Sequence, residues 1–159
     1  MDDHALLLCA RNALKALHLP AHIQELPTPP EECIALQGRK ILLIDDSPEV
    51  FEVFVPLLTA ATHGSAVFLL HHGESMVALV EQITALHPEI LLVDQYLGRG
   101  VRGHEVVAAL QEAKIPCRVF GFSSEAQLDD LFCSAGAEGA IEKDVRNPEN
   151  ALRTLSALV

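Results

Sequence analysis

Five short aliphatic runs, separated by longer helical patterns, do most to restrict how this chain can fold. The runs lie at residues 40–45 (KILLID), 66–70 (AVFLL), 90–94 (ILLVD), 117–122 (CRVFGF) and 139–143 (GAIEK). Near-continuous apolar runs of this length are typical of parallel strands that are covered on both faces. Their alternation with helical segments predicts an α/β fold, a doubly wound five-stranded parallel sheet with right-handed crossovers.

Start signals for the helices stand between these runs. Ser47 followed by Pro48 predicts a helix start just after the first strand. Ser124 with Gln127 fits a capping box for the helix after the fourth strand, and Asn147 before Pro148 predicts the start of the last helix.

Residues 1–38 do not follow the alternation, so we divide the chain into an N-terminal helix with a proline-rich arm (1–38) and an α/β domain (39–159). The stretch DDHALLLCARNALKALHL predicts one helix, because its apolar residues share a face. That face consists of Leu6, Ala10, Ala13 and Leu17. The prolines of PAHIQELPTPPEEC indicate a linker or an extended arm. The helix is expected to pack on its own domain, on a second copy or on another partner, and the sequence leaves these three open.

Composition restricts the partners more than the fold. The 159 residues, half of them hydrophobic, suffice for one domain with a modest appendage. A net charge of -11 argues against nucleic acid and anionic membranes and suits metal ions or a basic protein. Four widely spaced cysteines form no C-x-x-C motif, and no apolar run reaches the length of a membrane span. We therefore expect a soluble, cytoplasmic protein with reduced thiols.

Charged and hydroxyl side chains follow four of the predicted strands. Asp45 and Asp46 end the first, Asp94 the third, Ser123 the fourth and Lys143 the fifth. The carboxyl ends of parallel strands meet at one edge of the sheet, where ligands bind, so these five side chains are expected to converge. Clustered carboxylates are unfavourable without a cation, and hard oxygen ligands suit Mg²⁺. One carboxylate can then attack a phosphoryl group while Mg²⁺, a hydroxyl and an ammonium neutralise its oxygens.

Taken in this order, the five residues resemble the receiver domain of bacterial two-component response regulators, over residues 39–159 and in a stand-alone form similar to the chemotaxis regulators. The resemblance implies a flavodoxin-like sheet of strand order 2-1-3-4-5. It implies that Asp94 accepts a phosphoryl group from a histidine kinase or a histidine phosphotransfer protein. It further implies that Mg²⁺ is bound by Asp45, Asp46, Asp94 and the backbone carbonyl of Tyr96. In the same way it implies that Ser123 contacts the phosphoryl group and that Lys143 pairs with Asp94.

The chain departs from that family's pattern at three places. Asp144 follows Lys143 where the family usually has a proline, and Ala140 stands where it usually has an aromatic residue that reports phosphorylation. After Asp94, the stretch QYLGRGVRGHE has glycines in place of a proline, which favours a more flexible loop. Arg99 and Arg102 are expected to bring positive charge near the phosphoryl site, and the bulk of Tyr96 to shield an acyl phosphate from water.

Three functional readings are weighed. The first is a phosphorylated receiver that is not an enzyme and signals by protein contact, without binding DNA. The second is a pseudo-receiver, a binding module that acts without phosphorylation, which Ala140 and Asp144 favour. The third, a phosphatase of the haloacid dehalogenase kind, is disfavoured because Ser47 stands where a second aspartate is needed. A homodimer through residues 1–38 or through the last helix-strand-helix face is left open, and His71 and His72 are predicted to lie in a solvated turn.

Overall fold

The five predicted strands form one parallel sheet. The computed structural model describes residues 2–159, so that Met1, the first residue of the predicted N-terminal segment, lies outside them. The strands are β1 (Ile41–Asp45), β2 (Val67–Leu70), β3 (Ile90–Val93), β4 (Arg118–Ser123) and β5 (Gly139–Glu142). Their order in the sheet is β2-β1-β3-β4-β5, and every pair is parallel. This confirms the predicted doubly wound sheet and its 2-1-3-4-5 order.

Six α-helices accompany the strands in the described part of the chain. They are α1 (Asp3–Ala16), α2 (Pro48–Thr62), α3 (Met76–Leu86), α4 (Gly103–Glu112), α5 (Asp129–Ala135) and α6 (Pro148–Leu158), with 3₁₀ turns at Glu31–Leu36 and Ala126–Leu128. The predicted starts at Pro48 and Pro148 agree with α2 and α6. Within residues 2–159, no helix is both long enough and apolar enough to span a bilayer.

The predicted capping box at Ser124 and Gln127 is wrong. A 3₁₀ turn precedes α5, whose cap residue Leu128 makes no side-chain cap hydrogen bond. The amide of Glu125 donates instead to the hydroxyl of Ser123, at 3.1 Å. Since that bond closes the chain into a tight turn directly after β4, the α-helix begins only at Asp129.

Helices cover both faces of the sheet, and β1 shows how its residues divide between them. Ile41 and Leu43 pack in the cluster that contains α2 and α6, whereas Leu42 and Ile44 pack in the cluster that contains α3 and α4. All four side chains are completely buried. Alternate residues of a strand point to opposite faces, so a strand that is buried on both sides needs apolar residues throughout.

The N-terminal segment forms an additional layer on the first of these faces. Helix α1 packs on α2, and the 3₁₀ turn at Glu31–Leu36 packs on α6. Leu14 and Leu36 are buried in the same cluster as β1, and both Nε and Nη2 of Arg11 donate to the carbonyl of Ile23, at 2.9 and 2.6 Å. Burying a leucine of this kind contributes about 1.5–3 kcal/mol. The helix therefore packs on its own domain, which selects one of the three arrangements left open by the sequence.

Candidate functional site

Asp45 and Asp46 end β1 in different environments. Asp45, the last residue of the strand, is completely buried, whereas Asp46 is exposed. The Oδ1 atom of Asp45 accepts a hydrogen bond from the amide of Ser47, at 3.0 Å, just before α2 begins. This bond to the amide two residues later closes an Asx turn before the helix, and it fixes the direction of the carboxylate. The pair thus directs one carboxylate under the edge of the sheet and the other toward solvent.

Asp94 directly follows β3 and lies beside the end of β1. Its amide donates to the carbonyl of Ile44, at 3.0 Å, and its side chain is buried. Gly103, the first residue of α4, approaches the backbone of Asp94 so closely that a Cβ on Gly103 would lie 2.2 Å from the Asp94 carbonyl oxygen. Since only glycine permits this approach, the sequence at the start of α4 is part of what positions Asp94.

Lys143 joins the two buried carboxylates. Its Nζ atom lies 2.9 Å from Oδ2 of Asp45 and 3.0 Å from Oδ1 of Asp94. Its backbone amide donates to the carbonyl of Ser123, at 2.8 Å, which ties the end of β5 to the end of β4. The lysine therefore points into the site although Asp144, and not a proline, follows it.

The three carboxylates are close enough to share a cation. One oxygen from each of Asp45, Asp46 and Asp94 lies within 4.8 Å of the others. Lys143 supplies one positive charge against these three negative ones. Oxygen ligands in this number and at this spacing suit a small divalent cation such as Mg²⁺, so the residues present fit the metal predicted from the sequence.

The pKa values of the site reflect this arrangement. The pKa of Asp94 is raised to about 6, mainly by burial and then by the charge of Asp45, while Lys143 opposes both. Burial also raises the pKa of Asp45, against the opposing effect of Lys143. Burial alone would lower the pKa of Lys143, but the charges of Asp45 and Asp94 outweigh it, so that this pKa is raised. The site therefore keeps a lysinium between two carboxylates whose ionised forms are costly.

Ser123 and Tyr96 flank this centre. Ser123 is buried at the end of β4, where its hydroxyl accepts from the amide of Glu125. Tyr96 pairs with Arg102 in an antiparallel bridge, in which the carbonyl of Gln95 and the amide of Leu97 make the hydrogen bonds. Since successive residues of an extended chain point their backbone groups in opposite directions, the carbonyl of Tyr96 faces away from that bridge.

The loop between β3 and α4 lies next to the acidic pair. Gly98, Arg99 and Gly100 all have positive φ, and a Cβ on Gly98 would lie 3.8 Å from Oδ2 of Asp46. The guanidinium of Arg102 lies over the ring of Tyr96, 5.0 Å from its centroid. The side chain of Arg99 covers Gly73 in the neighbouring loop. Arg99 thus lies against the loop at Gly73 and Arg102 against Tyr96, and the positive charge expected near the phosphoryl site stays a prediction.

His71 corrects one prediction. His72 is exposed as expected, but His71 is almost completely buried and does not belong to a solvated turn. Its amide donates to the carbonyl of Asp45, at 2.8 Å. Its ring nitrogens lie 3.3 Å from the carbonyl of Leu97 and 3.1 Å from that of Glu74. His71 therefore links two loops beside the acidic centre.

Gln95 is a second residue that sequence reasoning missed. It is buried, and its side-chain oxygen accepts from the amide of His104, at 3.1 Å, near the start of α4. Its backbone carbonyl accepts from the amide of Gly103, at 2.8 Å. A polar residue two positions after the last apolar residue of a strand is the only local signal for such a role, and many loop residues share it.

Comparison with known proteins agrees with this geometry. A family model described as the response regulator receiver domain matches residues 41–155. No curated protein matches the chain.

Solved structures give the same fold. The response regulator TrrA from Thermotoga maritima, solved with Mg²⁺ and BeF, has a TM-score of 0.59 at 16% identity. The alignment covers 99% of its chain and 76% of this one. The receiver domain of the histidine kinase CKI1 from Arabidopsis thaliana, complexed with Mg²⁺ and BeF₃⁻, has a TM-score of 0.58 at 13% identity, over 96% of its chain and 80% of this one. The receiver domain of NarL from Mycobacterium tuberculosis has a TM-score of 0.56 at 21% identity, over 94% of its chain and 76% of this one.

Proposed function

Because the chain belongs to the family of response regulator receiver domains of two-component systems, we propose that it is a phosphoacceptor that takes a phosphoryl group on Asp94 from a histidine kinase or a histidine phosphotransfer protein. The observation that carries the proposal is the position of Lys143, whose ammonium lies between the carboxylates of Asp45 and Asp94 at the carboxyl edge of the sheet. Receiver domains are signalling modules, and the proposal involves no enzymatic turnover of a separate substrate.

The transfer step requires an ionised Asp94. With a pKa of about 6, this carboxylate is charged at neutral pH and remains more basic than an ordinary aspartate. An oxygen of Asp94 forms a bond to phosphorus while the bond between phosphorus and the donor imidazole nitrogen breaks, and that nitrogen keeps the electron pair. The ammonium of Lys143, 3.0 Å from Asp94, moves with the developing charge to the phosphoryl oxygens.

Asp45, Asp46, Asp94 and the carbonyl of Tyr96 would hold Mg²⁺, which when bound neutralises charge on the transferred phosphoryl group. The buried hydroxyl of Ser123 is placed by its bond from the amide of Glu125, and we assign to it a contact with a phosphoryl oxygen in the phosphorylated state. The net charge of -11 supports output through protein contact and not through DNA.

A second candidate function is a binding module that acts without phosphorylation. One observation favours it: Ala140, half-buried on β5, cannot report phosphorylation as an aromatic residue would. The two functions differ in whether Asp94 accepts a phosphoryl group at all.

The test is the intact mass of the protein after incubation with acetyl phosphate and Mg²⁺. We expect wild-type protein to gain one phosphoryl group, and Asp94→Asn and wild-type protein in EDTA to gain none. Asp130→Asn, the same substitution at an exposed aspartate of α5, is the matched control and should be labelled like wild type. Absence of labelling in folded wild-type protein would refute the phosphoacceptor proposal and favour the binding module.

A further inference from the structure

A cavity of about 210 Å³ lies between the start of α5 and the outer edge of β5, the last strand of the sheet. Most of the wall that faces this cavity is apolar. The residues that line it are Ser123, Glu125, Asp129, Ala140, Ile141 and Glu142. Ala140 contributes only a methyl group, so the volume beside it stays open. We call this space the Ala140 cavity.

The charges around the Ala140 cavity have one sign. Glu125, Asp129 and Glu142 contribute three carboxylates, and the residues that line the cavity include no lysine, arginine or histidine. Glu142 and Asp129 are exposed, and Glu125 is half-buried, so these charges lie toward the mouth. Ser123 and Ile141 are buried and form the inner end. An occupant that complements this arrangement has an apolar group that enters first and positive charges that stay at the mouth.

The edge of β5 next to the cavity is already occupied. Oδ1 of Asp129 accepts the backbone amide of Ala140, at 2.8 Å, which points outward from the last strand of the sheet. A carboxylate in this place protects a sheet edge from pairing with another strand. A partner is therefore expected to engage this face by inserting a side chain and not by adding a strand to the sheet.

We propose that the Ala140 cavity receives an aromatic side chain from a basic segment of a partner protein. A cavity of about 150 Å³ accepts a benzene ring, so the Ala140 cavity has room for the ring of a phenylalanine. Lysine or arginine residues beside the ring face Glu125 and Glu142. The proposal goes beyond phosphoacceptance by naming the chemistry of the partner, and it holds for protein without a phosphoryl group.

The experiment is an NMR titration of the full chain, unphosphorylated and free of Mg²⁺, with the peptide acetyl-Lys-Phe-Lys-amide. We expect the amide resonances of Ser123, Ala140 and Ile141 to shift. Acetyl-Lys-Ala-Lys-amide and acetyl-Glu-Phe-Glu-amide are the matched control peptides. Removing the ring should weaken binding roughly tenfold or more, because most of the buried apolar surface is lost.

Two variants of the protein test the position. Ala140→Phe fills the cavity with its own side chain and should abolish the shifts. Glu142→Gln keeps the test valid if Ala140→Phe does not fold, and it should weaken binding roughly two- to fivefold, as expected for an exposed ion pair. Glu112→Gln, an exposed carboxylate at the end of α4, is its control and should bind like wild type. The proposal is overturned if millimolar peptide causes no shifts, if the shifts lie elsewhere, or if the acidic peptide binds equally well.

Discussion

Replacing Asp94 by asparagine should stabilise the metal-free protein, although it removes the proposed phosphoacceptor. The side chain is almost completely buried, and its pKa is raised from an ordinary 3.8 to about 6, mainly by burial and then by the charge of Asp45. Each pKa unit corresponds to about 1.4 kcal/mol, so ionised Asp94 costs the native state about 3 kcal/mol relative to a neutral side chain of the same shape. Asparagine is such a side chain.

The sign of the effect sets its pH dependence. Between about pH 4 and 6, native Asp94 holds a proton that the unfolded chain has already lost, so the contribution of Asp94 to the stability of the wild type falls as the pH rises through this window. Above pH 6 the cost is complete, and near pH 4 it has largely disappeared. The advantage of Asp94→Asn should therefore be about 3 kcal/mol at neutral pH and well under 1 kcal/mol at pH 4.

Urea and thermal unfolding in EDTA, at neutral pH and at pH 4, measure this difference. A gain of about 3 kcal/mol corresponds to an increase of roughly 6–12 °C in Tm for a domain of this size. Asp130→Asn, at an exposed position, should change stability little at either pH. Mg²⁺ should stabilise wild type more than Asp94→Asn, because the variant lacks one of the three carboxylates. An Asp94→Asn protein that is no more stable than wild type at neutral pH in EDTA would refute the reasoning.

Three further predictions address Lys143, Tyr96 and the packing of α1. Lys143→Met should lower the free energy of unfolding by about 3 kcal/mol in EDTA, since Asp45 and Asp94 lose their shared cation, and Mg²⁺ should recover part of this loss. Lys15→Met, at an exposed position of α1, is the control for urea unfolding. If Tyr96 shields an acyl phosphate, the phosphorylated wild type and Tyr96→Phe should lose the phosphoryl group slowly, and Tyr96→Ala should lose it faster. The loss is measured by intact mass over time, and loss within seconds in all three proteins would contradict the idea. Leu14→Ala should lower the free energy of unfolding by about 2–5 kcal/mol and leave one cooperative thermal transition. Leu8→Ala, at a half-exposed position, should lower it far less, and an equal loss of stability in the two variants would contradict the packing of α1 on α2.

Much of the site was predictable because it depends on topology. Asp45, Asp94 and Lys143 each end or directly follow an apolar run, and in a parallel sheet such positions meet at one edge. The side-chain pattern identified the strands without knowledge of any contact. The convergence of these three residues follows from strand order and direction, and no loop detail is needed for it.

Other features of the site depend on loops, and local sequence says little about them. In the sequence His71 is one half of a polar pair that predicts a solvated turn, yet it is buried between the carbonyls of Leu97 and Glu74 because two loops close over it. Gln95 supports the start of α4 through His104, nine residues later in the chain. Such contacts join residues that no periodicity relates, so neither could be predicted from spacing.

The sequence by itself determined the sheet, its helices and the set of carboxylates with one lysine at its edge, because apolar periodicity and strand-end chemistry are local properties that a parallel topology brings together. The tertiary structure alone decided that α1 packs on α2, that Lys143 reaches both Asp45 and Asp94 without a following proline, and that Ala140 borders a cavity. Each of these depends on how distant segments pack, and packing is decided by the shape of the whole core and not by any one stretch of the chain.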